Sequence, residues 1–223
     1  MKLVCFKNFP KKTPFAPEYE YIIYENFINN IDFNKIAEIV LSKEKSIIEN
    51  YPSTTKISID GYTGLGDDSL TSRYSNFNVF AWNESEIQKL KEKIYEHYIL
   101  FLNSVKVPQS KVWIQCWANV LRKDQKINPH LHNVSPYCYL GGHVVVQCSD
   151  TSTLYINPIN QINDPETYES KNEVGKITFF QNSIPHYTTM HTSDSERITI
   201  AFDLIVDEEV VSSDTKNLIL FDN

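Results

Sequence analysis

The chain has 223 residues, of which 41% are hydrophobic and 22% charged, and its formal net charge is -7. This composition is that of one globular domain, and the acidic balance without a cluster of Lys or Arg argues against a nucleic-acid partner. No stretch approaches the roughly 20 apolar residues of a membrane span, and the first residues lack the apolar run of a signal peptide. We therefore expect a soluble, cytoplasmic protein without a membrane partner.

The N-terminal half, positions 1–110, mixes helical and extended patterns and is expected to support the rest of the fold. Apolar residues at helical spacing predict a helix that begins at Asp32. A second helix is predicted after Asn83, which precedes Glu86 in a capping-box pattern. Its apolar stripe consists of Ile87, Leu90, Ile94, Tyr98 and Phe101. Both helices are expected to pack on the outside of a sheet.

The segment between these helices, residues 61–82, is rich in Gly, Asp and Ser. This composition predicts a loop that leads into a strand near Phe77 to Trp82. The loop either borders the active site or is a solvated connection, and its composition favours neither.

From Lys111 onward the hydrophobic pattern has a period of two, which is typical of strands. Strands are predicted at 112–121, 137–147, 153–157, 176–180 and 197–206. Short strands without intervening helices indicate a mainly β fold with flanking helices, namely a jelly roll or double-stranded β-helix of the cupin-like kind. We expect one domain over residues 1–223, with a support region at 1–110, a jelly-roll core at 111–207 and a C-terminal extension at 208–223.

A metal site is predicted from three histidines. His130 and His132 are two positions apart, so on an extended segment their imidazoles share one side. His186 follows much later in the chain, directly after a proline at the expected start of a strand. Three protein ligands leave coordination positions open for substrate or cosubstrate, as catalytic metal sites require.

A carboxylate-binding site is predicted from Arg197 and Thr199. Arg197 begins the predicted strand that follows His186, and Thr199 lies on the same face of that strand. The guanidinium group can bind both oxygens of a carboxylate, and the hydroxyl adds a donor. The alternative is that Arg197 forms an ion pair with Glu196 or Asp203, and the sequence leaves it open.

The order of these residues resembles the Fe(II)/2-oxoglutarate oxygenases of the double-stranded β-helix fold, including prolyl-hydroxylase-like members and bacterial and phage relatives. In that family an H-x-D/E pair and a distant His hold iron, and an Arg in an R-x-S/T motif binds the far carboxylate of 2-oxoglutarate. The motifs cover residues 112–206, including the strand from Gly175 to Phe180 before the distant His. Residues 71–78 match more loosely.

The resemblance implies an iron- and 2-oxoglutarate-dependent dioxygenase that uses O2, with ascorbate as a candidate reductant. Such an enzyme would hydroxylate a small-molecule or peptidyl substrate and release succinate and CO2. His130, His132 and His186 would be the metal ligands and catalytic centre. Arg197 and Thr199 would anchor the cosubstrate, and Asn119, Tyr137 and Tyr139 are further candidates for its shell or for the substrate pocket.

The sequence departs from the family pattern at His132, which stands where the acidic ligand is usual. Either His132 completes a three-histidine site, or it points away and a carboxylate such as Asp124 replaces it. His97 and His191 are expected to be structural, and His143 to be a hydrogen-bonded interior residue rather than a ligand.

Three further questions stay open at this stage. The acidic loop at 158–174 is either a solvated hairpin or a lid over the barrel mouth. A zinc hydrolase or lyase would also suit an H-x-H pair with a distant His, although it leaves Arg197 and Thr199 without a role. A non-enzymatic, cupin-like ligand-binding protein is the third alternative, and the oligomeric state is not predicted.

Overall fold

A computed structural model of the protein describes residues 1–53, 63–132, 139–159, 165–206 and 217–222. Within these ranges the chain forms two α-helices, α1 (Phe33–Asn50) and α2 (Ser85–Val105), and two short 3-10 helices, Thr71–Arg73 and Val79–Ala81. The strands are β1 (Lys2–Asn8), β2 (Tyr19–Phe27), β3 (Trp113–Leu121), β4 (Leu140–Gln147), β5 (Ser152–Ile156), β6 (Thr167–Lys171), β7 (Lys176–Gln181), β8 (His186–Thr188), β9 (Arg197–Ile205) and β10 (Ile219–Leu220). None of the helices described is long and apolar enough to cross a membrane.

The strands form two antiparallel sheets. The major sheet has the order β1-β2-β7-β4-β9-β3-β10, and the minor sheet has the order β6-β5-β8. Apart from β1 and β2, neighbours in the major sheet come from distant parts of the sequence; β9, for example, lies between β3 and β4. This arrangement confirms the predicted mainly β architecture with flanking helices.

Both helices pack against the outer face of the major sheet. Asp32 begins α1 by accepting a hydrogen bond from the backbone N–H of Lys35 at 3.0 Å, as predicted. The predicted stripe of α2 is buried, from Ile87 to Phe101. Alternate residues of β4 and β9, such as Val144 and Ile200, complete this outer core.

Two local predictions are wrong. Residues near Phe77 form the 3-10 helix Val79–Ala81 rather than a strand, because Asn78 caps it by accepting from the N–H of Phe80. Asn83 does not cap α2. The helix begins after Glu84, whose side chain makes no capping hydrogen bond, and the Glu86 carboxylate instead accepts from the backbone N–H of Asp32 near the start of α1.

The inner face of the major sheet bounds a cavity that the minor sheet covers from the other side. Because side chains alternate along a strand, the residues between the core positions of β9 point into this cavity. They are Arg197, Thr199, Ala201 and Asp203. The polar side chains of β9 therefore lie where a ligand can reach them.

Candidate metal centre and cosubstrate pocket

The chain segment 125–132 brings two of the three predicted histidines beside the third. His130 and His186 form an antiparallel bridge in which each backbone N–H donates to the other residue's carbonyl at 3.1 Å. The N–H of His132 donates to the carbonyl of Asn182 at 3.3 Å. This segment therefore lies along β8 and continues the minor sheet.

The side chains of His130, His132 and His186 converge. One ring nitrogen from each lies within 4.8 Å of the others, which makes the three a candidate group for one metal ion within the part of the chain that is described. The ring centroids of His130 and His186 are 4.3 Å apart, and those of His132 and His186 are 4.9 Å apart.

Each of these histidines has a hydrogen-bond partner at Nδ1. The Nδ1 of His130 is 2.9 Å from the carbonyl oxygen of Asn128, and that of His186 is 3.2 Å from the carbonyl oxygen of Ile184. A carbonyl only accepts, so Nδ1 carries the proton and Nε2 keeps its lone pair. The rings are thus held in the tautomer that a metal ligand needs.

Burial keeps His186 in its neutral form. It lowers the pKa of His186 well below the usual range, and the charges of the neighbouring His130 and His132 act in the same direction. A protonated imidazole cannot bind a metal ion, so this environment favours the ligating form.

His132 points toward the other two histidines and not away from them. Its Nδ1 lies 2.5 Å from Oδ1 of Asp203 on β9. The alternative ligand Asp124 is exposed, lies in a turn with a φ of 64°, and is outside the cluster. Asp203 was not predicted as a site residue, although its alternation with Arg197 already placed it on the inner face.

Arg197 lies at the other end of the cavity and is almost completely buried, with 2% exposure. Its Nε and Nη1 have no hydrogen-bond partner among the residues that the structure describes. The alternative ion pair with Glu196 or Asp203 is not formed, since the Asp203 carboxylate bonds to His132. Burial lowers the pKa of Arg197 to about 10, so the guanidinium is still charged at neutral pH.

A chain of polar side chains lies beside Arg197. Asn119 on β3 accepts from the Thr71 hydroxyl at 2.6 Å and from the indole N–H of Trp117 at 3.2 Å. Its own amide makes a long contact of 3.5 Å with the Thr199 hydroxyl. Thr71 and Tyr74, from the loop between the helices, line the cavity, so this loop borders the site. Neither residue was predicted individually as a site residue.

Tyr139 lies elsewhere, contrary to the prediction. Its hydroxyl is 2.8 Å from that of Tyr98 on α2, and it does not line the cavity. The reason is that β4 begins only at Leu140, so the alternation that directs His143 inward does not extend back to residue 139. Tyr137 lies outside the described residues.

The remaining histidines are apart from the cluster. His97 packs under α2 with its Nδ1 3.0 Å from the Tyr24 hydroxyl, and His191 lies 2.5 Å from the carbonyl of Ser195. His143 lines the cavity, and burial lowers its pKa to about 3. It is interior, as expected, but its ring makes no hydrogen bond to the residues described here and contacts Phe180 instead.

The side chains in the cavity fit both Fe(II) and 2-oxoglutarate, the two groups that the resemblance implies. Three imidazoles whose Nδ1 atoms are hydrogen-bonded can bind Fe(II) through Nε2. The unpartnered nitrogens of Arg197 can bind the carboxylate of 2-oxoglutarate, which would supply the missing acceptors of a buried cation. Both sets of residues line the same cavity.

The sequence profile of a family described as "Putative 2OG-Fe(II) oxygenase" matches residues 115–203 of the chain. A search of curated protein sequences gives no match. The matched region begins on β3 and ends at Asp203, so it contains all three clustered histidines and Arg197.

Solved structures of similar fold come from oxygenases. The viral collagen prolyl hydroxylase of Paramecium Bursaria Chlorella virus-1 has a TM-score of 0.52 at 12% identity, over 83% of this chain and 96% of that one. The α-ketoglutarate-dependent carbocyclase SnoK from nogalamycin biosynthesis has a TM-score of 0.52 at 9% identity, over 82% and 79% of the two chains. The epimerase SnoN from the same biosynthesis has a TM-score of 0.51 at 10% identity, over 83% and 76%.

These identities show a shared fold, the double-stranded β-helix, and the profile match over residues 115–203 adds a similarity to the 2OG-Fe(II) oxygenase family. The enzymes of this family use Fe(II), 2-oxoglutarate and O2. By its match at residues 115–203 and by its fold, the chain is similar to the 2OG-Fe(II) oxygenases.

Proposed function

We propose that the chain hydroxylates a small-molecule or peptidyl substrate and converts 2-oxoglutarate to succinate and CO2. The observation that carries the proposal is a buried, charged Arg197 with two unpartnered nitrogens in the same cavity as three convergent histidines. A buried cation without acceptors is costly, and an anionic cosubstrate removes that cost.

In this proposal His130, His132 and His186 hold the iron, and Arg197 with Thr199 binds the far carboxylate of 2-oxoglutarate. When bound there, iron and 2-oxoglutarate would supply the activation of O2 that oxidation of a substrate C–H bond requires. Asn119 orients the Thr199 hydroxyl through their 3.5 Å contact, and Thr71 and Trp117 hold Asn119 in turn. The side chains thus fix the cosubstrate relative to the metal before the substrate arrives.

The substrate would enter where the cavity is lined by Tyr74, Trp117 and Leu131. The two aromatic rings have centroids 5.5 Å apart, and Leu131 lies between the two ligands of the H-x-H pair with 41% exposure. This apolar mouth supports an organic substrate over a free ion. The viral neighbour is a prolyl hydroxylase and the two others act in nogalamycin biosynthesis, so the fold accommodates both proposed substrate classes.

We also propose that the chain acts as one domain. Strands β1 and β2 of the support region and the C-terminal strand β10 join the same sheet as the jelly-roll core. A cytoplasmic location and the lid function of residues 158–174 stay predictions.

Succinate formation tests the proposed activity. Purified protein supplied with Fe(II), 2-oxoglutarate, ascorbate and O2 is expected to form succinate, and Arg197→Ala to lose most of this turnover. Arg122→Ala is the matched control, because Arg122 pairs with Glu44 on α1 and is outside the cavity. Protein loaded with Mn(II) that binds no 2-oxoglutarate in calorimetry would contradict the proposal. Metal-dependent hydrolysis with Zn(II), unaffected by Arg197→Ala, would favour the zinc enzyme.

A further inference from the structure

We propose that Asp203 is the positioning residue of His132: it fixes the unusual third ligand and supplies the negative charge that the family's acidic ligand otherwise brings. The inference rests on the metal site of the proposed function. Asp203 belongs to neither the H-x-H pair nor the R-x-S/T motif, so those motifs assign it no role.

The contact between the two side chains is short and shielded from water. Nδ1 of His132 lies 2.5 Å from Oδ1 of Asp203, and the two side chains are 6% and 20% exposed. A carboxylate only accepts when ionised, so His132 donates from Nδ1 and presents Nε2 to the cluster. The rings of Trp117 and Phe180 lie 5.8 and 5.3 Å from the His132 ring and limit its rotation.

Gly141 makes this contact sterically possible. Gly141 is the partner of Asp203 in the ladder between β4 and β9. A Cβ at this position would lie 2.9 Å from Nδ1 of His132 and 3.1 Å from Oδ1 of Asp203. Any side chain larger than hydrogen would therefore press on both ends of the hydrogen bond. The absence of a side chain at residue 141 leaves room for the histidine and the aspartate to meet.

Charge distinguishes His132 from the other two ligands. His130 and His186 are held by neutral backbone carbonyls, whereas His132 is held by a carboxylate. Three imidazoles alone would leave the iron one unit more positive than two imidazoles and a carboxylate do. Asp203 returns that negative charge one hydrogen bond away from the metal.

Metal affinity tests this role without reference to turnover. With Co(II) as the probe ion, Asp203→Asn is expected to weaken binding by about 10- to 100-fold and to change the visible absorption spectrum of the bound ion. Asp203→Glu keeps the carboxylate and is expected to recover part of the affinity. Asp194→Asn is the control, since Asp194 pairs with Lys123 at the surface with 90% side-chain exposure.

A double-mutant cycle shows whether Asp203 acts through His132. In a His132→Ala background, Asp203→Asn is expected to cause no further loss of Co(II) affinity. An equal loss in both backgrounds, or wild-type affinity in Asp203→Asn, overturns the inference. If Asp203→Asn does not fold, Gly141→Ala tests the same contact with Asp203 in place, and wild-type affinity in that variant overturns it too. Wild-type protein that binds no Co(II) would instead overturn the proposed metal site.

Discussion

The two ends of the cavity differ in how completely they are organised by the protein itself. At the metal end every clustered histidine has an acceptor for its Nδ1, and all three rings face one another. At the other end Arg197 is buried with two nitrogens that lack a partner within the described part of the chain. The histidine end is therefore organised by the protein's own hydrogen bonds, whereas Arg197 has two nitrogens for which the described residues provide no acceptor.

The two ends should therefore differ in how they contribute to ligand affinity and to the folding stability of the ligand-free protein. A preorganised site binds tightly because little ordering remains to be done. A buried, unpartnered cation costs folding free energy that ligand binding then recovers. Substitution at the histidine end should therefore lower metal affinity, whereas substitution of Arg197 should lower cosubstrate affinity and raise the stability of the ligand-free protein.

The largest effect is expected at the metal end. His186→Ala removes one of the three clustered imidazoles while keeping the backbone bridge to His130, so Mn(II) affinity should fall by at least about 100-fold, beyond what loss of a supporting residue causes. Isothermal titration calorimetry measures it. His143→Gln is the matched control, because His143 lines the same cavity outside the cluster. Retained affinity in His186→Ala would remove His186 from the metal site.

A smaller loss of binding and a gain of stability are expected at the other end. Arg197→Met should weaken 2-oxoglutarate binding by roughly 30-fold or more, about 2 kcal/mol, because the buried charge is lost. The same change should raise the unfolding free energy of the ligand-free protein, since an apolar side chain replaces an unpartnered cation. Urea titration measures this gain. A marked loss of stability would show instead that Arg197 holds the fold.

The effect that is smallest near neutral pH concerns His143, on β4 beside β9. Its pKa is about 3 in the folded protein, against about 6.5 for an unperturbed histidine. Below about pH 6.5 the unfolded chain therefore binds a proton at His143 that the folded chain does not bind. Stability is full above that pH and falls as the pH drops toward 3, by up to about 1.4 kcal/mol per pH unit for this group.

Urea titrations of the metal-free protein between about pH 7.5 and about pH 5 test this dependence. His143→Gln should reduce the slope of unfolding free energy against pH. Part of the slope should remain, because the pKa of the buried His186 is also lowered. An unchanged slope in His143→Gln would show that residue 143 does not contribute.

The sequence predicted those parts of the fold that depend on periodicity within one element. The alternation from Arg197 to Asp203 gave both the strand and its inward face, and the helical stripe of α2 gave its buried side. The prediction failed where periodicity was extended past an element's end. Tyr139 precedes β4, so the alternation of inward and outward side chains along that strand does not apply to it. The chain near Phe77 forms a 3-10 helix, which turns too tightly for a strand.

The site was predictable where a motif spacing marks it and not where distant strands create it. His130 and His186 stand at motif positions, and the structure brings them together. The role of Asp203 depends on β9 lying beside β4, which places Gly141 opposite it and leaves room for His132. No pattern within one segment of the sequence predicts how β4 and β9 are aligned. Thr71 likewise reaches Asn119 only because the fold brings two distant segments of the chain together.

The antiparallel bridge between His130 and His186 has a consequence for the whole minor sheet. Backbone hydrogen bonds join segment 125–132 to β8, and a metal ion held by both residues and by His132 would add a cross-link between the same two segments. Such a cross-link closes the long chain loop between His132 and His186, which disfavours the unfolded state. The ion would then stabilise the minor sheet, which covers the cavity. Loss of iron would therefore weaken this side of the pocket as well as remove the metal from the site.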